Sequence, residues 1–155
     1  MNRSPSTTPG DASARLSQDA AIVLALAGTA MSFATSRREE AERWLRLLRM
    51  HGEVGRALQG LGVGEVPLEA ASTEPAFAAA RRGGREATEE VEQVCAGACE
   101  FARASRSPTV GTVHILFSVL SIYAGAFDRE LYRRGGSREE LLERLARDAA
   151  PRAPA

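Results

Sequence analysis

The 155-residue sequence predicts an all-α fold, one globular domain built from two related four-helix repeats. Apolar residues recur at intervals of three and four along most of the chain, which is the spacing of one helix face. No segment alternates apolar and polar residues as a half-buried strand does, so we expect no sheet. The two halves also match each other in register, which indicates an internal duplication packed around a pseudo-two-fold axis.

The first repeat, residues 16–71, contains three clear helical patterns and one shorter pattern. Ser17 is placed to cap the first of them, because a hydroxyl there can accept a hydrogen bond from a free amide of the first turn. Gly60 and Gly62 end the third. The predicted helices span residues 16–34, 39–50, 53–59 and 66–71. In the second helix we expect four inward side chains, Trp44, Leu45, Leu47 and Leu48.

The second repeat, residues 88–148, shows the same order of patterns. We expect Thr88 to cap its first helix and Thr112 to cap the next, since both precede apolar faces of helical spacing. The predicted helices span residues 88–102, 112–123, 126–133 and 137–148. Between the repeats, residues 72–87 are expected to form a linker with a short helix over residues 76–80. Residues 1–15 and 149–155 are expected to be disordered tails.

The duplication is visible as two fixed offsets between the halves. An offset of 71 pairs Ser17 with Thr88, Val23 with Val94, Ala27 with Ala98 and Leu45 with Leu116. After a two-residue gap, an offset of 73 pairs Arg56 with Arg129, Leu58 with Leu131, Gly62 with Gly135 and Leu68 with Leu141. Each half would have one apolar side, so the two are expected to bury these sides against each other.

Composition excludes several classes of function. All 20 basic residues are Arg, and without a Lys neither a P-loop phosphate site nor Schiff-base catalysis is available. The formal net charge is zero and acidic residues flank every Arg pair, so we expect no nucleic-acid or membrane partner. Two Cys residues four positions apart do not make a disulfide scaffold, which favours a cytoplasmic location. Residues 20–34 have the length of a signal-peptide core, but the long polar segment before them disfavours that interpretation.

Several segments resemble the Clp amino-terminal domain family, whose repeats carry a Thr-capped helix, a V-G-T-E-H-[IL]-L segment and a closing A-x-x-L-x-x-x-G. The second half reads TEEVEQV from Thr88, VGTVHIL from Val110, and then Leu131 and Gly135. The first half reads VLALA from Val23 and RALQGLGVG from Arg56. Together the two repeats cover residues 16–148. The family pattern is altered at Val113, which stands in place of its Glu, and over residues 40–45 of the first repeat.

The resemblance implies a non-catalytic receptor that recognises protein substrates, adaptors or phosphoarginine for Clp-dependent proteolysis. It also implies partners among Clp ATPase or protease subunits. The alternative is a structural accessory subunit that docks on such a ring without binding a ligand. A third alternative is a diverged copy with a partner of its own. We expect no enzymatic activity and no cofactor in any of these cases.

The ligand-binding candidates are Glu42, Ser17, Thr88 and Thr112. The guanidinium of phosphoarginine requires a carboxylate, and its phosphate requires helix N-terminal amides or an Arg. By register Glu42 is the only carboxylate at the family's acidic position, while Ser17 and Thr88 lie near helix starts. The competing interpretation is that Glu42 belongs to a solvated acidic run with Glu39 and Glu40.

Two further groups suggest chemistry but favour structural roles. Thr112 and His114 could form a nucleophile and a base, yet residues two apart on a helix do not face each other, so we expect capping or core roles. Cys95 and Cys99 could offer two thiolates to a metal one helical turn apart. Neither histidine has ligand spacing to them, so we expect small core side chains and no metal site.

Overall fold

The computed structural model describes residues 15–64 and 84–150, with side chains in the second range from Thr88 onwards. This part of the chain forms helices joined by short turns and one pair of two-residue strands. Its all-α character is therefore as predicted. In chain order the elements are β1 (Arg15–Leu16), α1 (Gln18–Met31), α2 (Arg37–Arg49), α3 (Gly52–Gly60), α4 (Gly84–Ala104), β2 (Thr109–Val110), α5 (Thr112–Tyr123), α6 (Gly125–Arg133) and α7 (Arg138–Ala149).

Serine caps set the start of three helices. Ser17 Oγ accepts a hydrogen bond from Ala20 N at 3.1 Å and begins α1, which confirms its predicted capping role. Ser36 Oγ accepts from Glu39 N at 3.2 Å, so α2 begins two residues before its predicted start. Ser137 Oγ accepts from Glu140 N at 3.2 Å and begins α7. Each bond satisfies one amide that the first helical turn leaves without a partner.

The two predicted threonine caps are wrong. Helix α4 begins at Gly84, so Thr88 lies inside its second turn. The three residues before it, Arg, Glu and Ala, are strong helix formers, which explains why the helix extends upstream of the hydroxyl. Helix α5 does start at Thr112, but its N-cap is Gly111. Thr112 is thus the first helical residue, and its side chain is free to serve another helix.

The expectation of no sheet is wrong at one place. Strand β1 pairs in parallel with β2, with Arg15 opposite Thr109 and Leu16 opposite Val110. The backbone of Ser17 extends the pairing, because its N–H donates to the Val110 carbonyl at 2.9 Å. Strands of two residues are too short to show an alternating pattern in the sequence. The pair holds the chain just before α1 against the chain just before α5.

Some predictions fall on residues outside the described ranges. These are the short helices over residues 66–71 and 76–80, most of the linker, and the tails apart from their inner ends. At those inner ends Arg15 lies in β1 and Ala149 is the last residue of α7.

The buried core draws on both halves of the sequence. Trp44, Leu45 and Leu48 are fully buried as predicted, whereas Leu47 is only half-buried. Trp44 Nε1 donates to the Tyr123 hydroxyl at 3.3 Å, which joins α2 to α5 inside the core. The largest fully buried side chains are Val23, Met31, Trp44, Leu45, Leu48, Val54, Leu58, Ile115, Leu116, Phe127, Leu131 and Leu141.

Among the described helices, none combines the length and apolarity that crossing a membrane requires.

Candidate functional site

Three helices begin at one place, which we call the N-terminal junction and define by Ser17, Gly52 and Thr112. The Ser17 amide is bonded to Val110, next to the start of α5. A Cβ added to Gly52 at the start of α3 would lie 2.7 Å from Thr112 Oγ1 and 3.3 Å from Asp19 Cβ. The first turns of α1, α3 and α5 are therefore in contact. Helix N-termini carry partial positive charge, so the junction concentrates three positive dipole ends.

Thr112 supplies the missing cap of a neighbouring helix. His51 occupies the N-cap position of α3 but makes no side-chain capping bond. Instead Thr112 Oγ1 accepts a long hydrogen bond of 3.4 Å from Val54 N in the first turn of α3. Thr112 is 3% exposed, so its hydroxyl is committed to the core rather than to a ligand. Thr112 therefore caps α3, and not α5 as its position in the sequence predicts.

His114 closes the first turn of α5. Its Nδ1 accepts a hydrogen bond from Gly111 N at 2.9 Å, which places the proton of the neutral ring on Nε2. Nε2 lies 3.4 Å from Ser105 Oγ, whose own proton can go to the carbonyl of Phe101 at 2.9 Å. In this tautomer the ring cannot take a proton from that serine. Burial lowers the pKa of His114, and the nearby Glu53 carboxylate offsets part of this effect.

Glu42 lies among arginines, in what we call the arginine cluster: Glu42, Arg46, Arg49 and Arg134. Glu42 Oε1 accepts from Arg46 Nη2 at 2.7 Å, one turn along α2. The same oxygen lies 3.4 Å from Arg134 Nη2, at the end of α6. Arg49 Nε donates to the Val63 carbonyl at 2.8 Å on the same side. The Glu42 carboxylate is therefore in contact with two guanidinium groups of its own chain.

Arg134 is the buried member of the arginine cluster, of which the sequence singled out only Glu42. Its side chain is 2% exposed, yet within residues 15–64 and 84–150 Nε, Nη1 and Nη2 have no hydrogen-bond partner. Burial lowers its pKa; Glu42 and Glu130 oppose that change, whereas Arg46 and Arg49 reinforce it. Its backbone is held in place because its carbonyl accepts from Gly64 N at 3.3 Å. In the sequence it appears only as half of the pair Arg133-Arg134.

The four predicted site residues occupy different surroundings. Ser17 and Thr112 meet at the N-terminal junction, where both hydroxyls cap helices. Thr88 is exposed on the second turn of α4. Glu42 is 26% exposed and is surrounded by arginines from α2 and α6. The described contacts thus bring Ser17 and Thr112 together and give Glu42 a separate environment.

A cavity of about 310 Å³ lies between α2, α4 and the end of α5. The Arg37 guanidinium lies 5.0 Å from the centroid of the Tyr123 ring at this cavity and donates to the Ile122 carbonyl. Burial raises the pKa of the Tyr123 hydroxyl far above its usual value. The cavity is lined by Arg37, Glu40, Glu89, Glu90, Gln93, Ile122 and Tyr123.

The cysteines lie on α4 as free, half-buried thiols. Burial raises the pKa of Cys95, and the neighbouring Cys99 adds to the effect, so this thiol is a poor nucleophile at neutral pH. Within the described residues, no group of three or more His, Cys, Asp or Glu side chains could hold a metal ion.

Comparisons of the chain with protein-family models, with curated proteins and with solved structures find no match. The family resemblance therefore depends on the residues and motifs of this sequence.

Proposed function

We propose that the chain is a non-catalytic protein-binding module of the Clp amino-terminal type. In this proposal it recognises protein substrates, adaptors or phosphoarginine and serves Clp-dependent proteolysis in the cytoplasm. It would do so as two repeats packed around a pseudo-two-fold axis. The motif resemblance in both halves is the first support, and the geometry at two helix ends is the second.

The observation that carries this proposal is the matching end of α3 and α6. Val63 N donates to the Leu58 carbonyl, and Gly136 N donates to the Leu131 carbonyl, both at 3.0 Å. The glycines that precede these amides, Gly62 and Gly135, have positive φ angles of 76° and 90°. Two helices thus end with the same hydrogen bond and the same left-handed glycine, 73 residues apart. Such agreement supports a duplicated unit.

The buried faces of the helices support the offset of 71 residues between the two halves. Val23 and Val94 are both fully buried, and so are Ala27 and Ala98. Leu45 and Leu116 form a third buried pair at the same offset. Because buried positions of α1 and α4 recur in one register, the two helices have equivalent inner faces.

A second candidate function, the accessory subunit that docks on a ring without binding a ligand, is favoured by Glu42. Its carboxylate is already in contact with Arg46 and Arg134. The starts of α2 and α5 give a different register from the offset of 71 that pairs Leu45 with Leu116. Counted from the N-caps Ser36 and Gly111, Val113 corresponds to Arg38 rather than to Glu42. By this count neither repeat presents a carboxylate at the second position of that helix.

A calorimetric titration with free phosphoarginine separates the two candidates. The receptor proposal expects saturable binding near one site per chain, lost in Glu42→Gln and retained in Glu143→Gln. Glu143 is the matched control, because it also pairs with an Arg four residues on but lies exposed on α7. We expect Val113→Glu to add or strengthen a second site. Equal binding by wild type and Glu42→Gln would contradict this role of Glu42.

A second experiment tests docking of the chain on rings of purified Clp unfoldase and protease subunits. Co-elution of the chain with the rings, without any phosphoarginine and unchanged in Glu42→Gln, would favour the accessory subunit. Absence of both ring binding and phosphoarginine binding would overturn the proposed function in either form.

A further inference from the structure

We propose that Arg134 and Arg46 form a binding site for a phosphate group, which replaces the Glu42 carboxylate when it binds. The site is part of the arginine cluster. It requires neither the guanidinium of phosphoarginine nor a Clp partner, so it does not depend on the proposed function.

The first support is the unsatisfied guanidinium of Arg134. A guanidinium carries five N–H donors and no acceptor, and burying them without partners is unfavourable. The side chain of Arg134 is 2% exposed, yet none of its three nitrogens has a hydrogen-bond partner among the residues that the structure describes. The 3.4 Å separation from Glu42 Oε1 is a charge contact rather than a directed hydrogen bond. Buried polar groups in native proteins normally have a partner, so the donors indicate an absent acceptor.

The second support is the local charge balance. Glu130, the other buried acid in the vicinity, accepts from Arg38 at 3.0 Å and from Arg133 at 3.4 Å. Its charge is therefore already compensated by side chains outside the proposed site. Among the described residues Glu42 is the acid in contact with Arg46 and Arg134, and these three side chains together carry one positive charge in excess. A phosphate group carries a charge of about −1.5 to −2 at neutral pH and would balance both.

The third support is the shape of the acceptor. A carboxylate offers two oxygens, and Oε1 of Glu42 is the oxygen in contact with both arginines. A phosphate group has more oxygens, so one can accept from Arg46 while others accept from the fork of Arg134. Such charge-assisted bonds would satisfy the N–H donors of Arg134 to which Glu42 makes no hydrogen bond. The expected ligand is therefore a tetrahedral dianion rather than a second carboxylate.

The fourth support is the access route. Side chains of Glu42 and Arg46 are 26% and 48% exposed, so they form the solvent side of the cluster. Arg134 lies beneath them and is held through the bond between its carbonyl and Gly64 N. In this proposal the phosphate enters the cluster from the solvent side and displaces the Glu42 side chain, which lies next to Arg134. Glu42 then acts as an internal competitor of the phosphate.

The test is a titration of inorganic phosphate into the full ¹⁵N-labelled chain, observed at the Arg134 Nε–Hε resonance. We expect a saturable shift of this resonance in wild type. Removal of the competitor in Glu42→Gln should tighten phosphate binding about tenfold. Glu143→Gln removes one carboxylate of an exposed pair with Arg147 and should leave the affinity unchanged.

Removal of an arginine that donates to the phosphate should weaken phosphate binding, which is opposite to the effect of removing Glu42. Arg134→Gln, followed at the Arg46 Nε–Hε resonance, should abolish saturable phosphate binding, whereas Arg147→Gln should retain it. If Arg134→Gln does not fold, Arg46→Gln replaces it, because Arg46 lies at the surface and its loss should weaken binding. Sulfate should compete with phosphate, and acetate should not. Phosphoserine, which has no guanidinium, is titrated separately and distinguishes a free ion from a phosphorylated side chain as the source of the group.

Equal phosphate affinity of Glu42→Gln and Glu143→Gln would overturn the inference, as would an Arg134 resonance that phosphate does not move. Failure of ring binding or of phosphoarginine binding alone would contradict only the proposed function, because inorganic phosphate contains no guanidinium and needs no ring.

Discussion

Thr112 is a buried hydroxyl that serves a helix other than its own. Thr112→Val keeps the branched shape but removes the acceptor for Val54 N, which then has no capping bond in the first turn of α3. Loss of a capping side chain costs roughly 0.5–2 kcal/mol, so we expect destabilisation of about 1 kcal/mol. Urea unfolding followed by circular dichroism measures this change.

Thr112→Ser is the matched control because it retains the hydroxyl. It should recover most of the stability lost in Thr112→Val. If Val and Ser variants were equally destabilised, the methyl group rather than the hydroxyl would account for the effect, and the cap across helices would be wrong.

His114 should make stability depend on pH. Its folded pKa is lowered, chiefly by burial, from an unfolded value of about 6.5. The unfolded chain therefore binds more protons below that value, and stability falls as the pH drops from about 6.5 toward the folded pKa. Protonation also places a hydrogen on Nδ1, which loses the bond from Gly111 N. Thermal unfolding between pH 7.5 and 5 measures the loss.

His114→Asn supplies an acceptor that does not titrate in this range. We expect it to flatten the pH dependence between pH 7.5 and 5. His51→Asn, the other histidine of the chain, should leave the dependence in place. If His51→Asn flattened the pH dependence and His114→Asn left it in place, His114 would not be the titrating group.

At the scale of the elements, the N-terminal junction depends on a glycine. Gly52 has a φ of 66°, and a Cβ there would lie 2.7 Å from Thr112 Oγ1. Gly62 has a φ of 76°, but no atom of the described residues lies within 4 Å of a Cβ added there. Gly62→Ala should therefore cost only the left-handed strain, roughly 1 kcal/mol. Gly52→Ala should cost at least about 1 kcal/mol more, because α3 and α5 must also separate.

Chemical denaturation of both glycine variants gives the comparison directly. A difference near zero would mean that the junction can relax around the added methyl group. A larger loss in Gly62→Ala than in Gly52→Ala would contradict the close approach of these helix starts.

Helix positions were the most predictable property of the elements. The apolar spacing gives α5 with the same bounds as the structure, Thr112–Tyr123, and Ser17 is a cap as predicted. The start of α4 was not predictable from Thr88, because helix-forming residues upstream outweigh a local capping signal. Strands β1 and β2 were not predictable because their pairing joins segments remote in sequence.

At the scale of the whole molecule, both halves should unfold together. Trp44 is the only tryptophan; it is fully buried and bonded to Tyr123 of the other half. Since one core contains both residues, we expect one cooperative transition. Urea midpoints from Trp44 fluorescence and from helical circular dichroism should coincide.

Two well-separated midpoints would contradict a shared core and would indicate that each half folds by itself. Trp44→Phe, followed by circular dichroism alone, is the control for an effect of the Trp44 side chain itself on the cooperativity of unfolding. It should unfold in one transition at a lower urea concentration, because it loses packing volume and the bond to Tyr123.

The candidate site was less predictable than the fold. Glu42 could be selected by register, but its arginine partners could not, because Arg134 is remote in sequence. Arg133 and Arg134 look equivalent in the sequence, yet the side chain of Arg133 is 55% exposed and that of Arg134 is 2% exposed. Arg133 pairs with Glu130 and stays exposed, whereas Arg134, at the end of α6, lies buried against Glu42 of α2. Which of these two adjacent Arg side chains is buried depends on the packing of the helices and cannot be read from the sequence pattern.

The pairing of β1 with β2 has a consequence for synthesis on the ribosome. Arg15 and Leu16 emerge early, but their partners Thr109 and Val110 are translated much later. At about 5–20 residues per second, the nascent N-terminal strand waits on the order of ten seconds for its partner. During that interval the apolar face of α1 lacks α4 and α5, which pack against it together with α2. The first half of this protein should therefore be the segment that a nascent-chain chaperone binds.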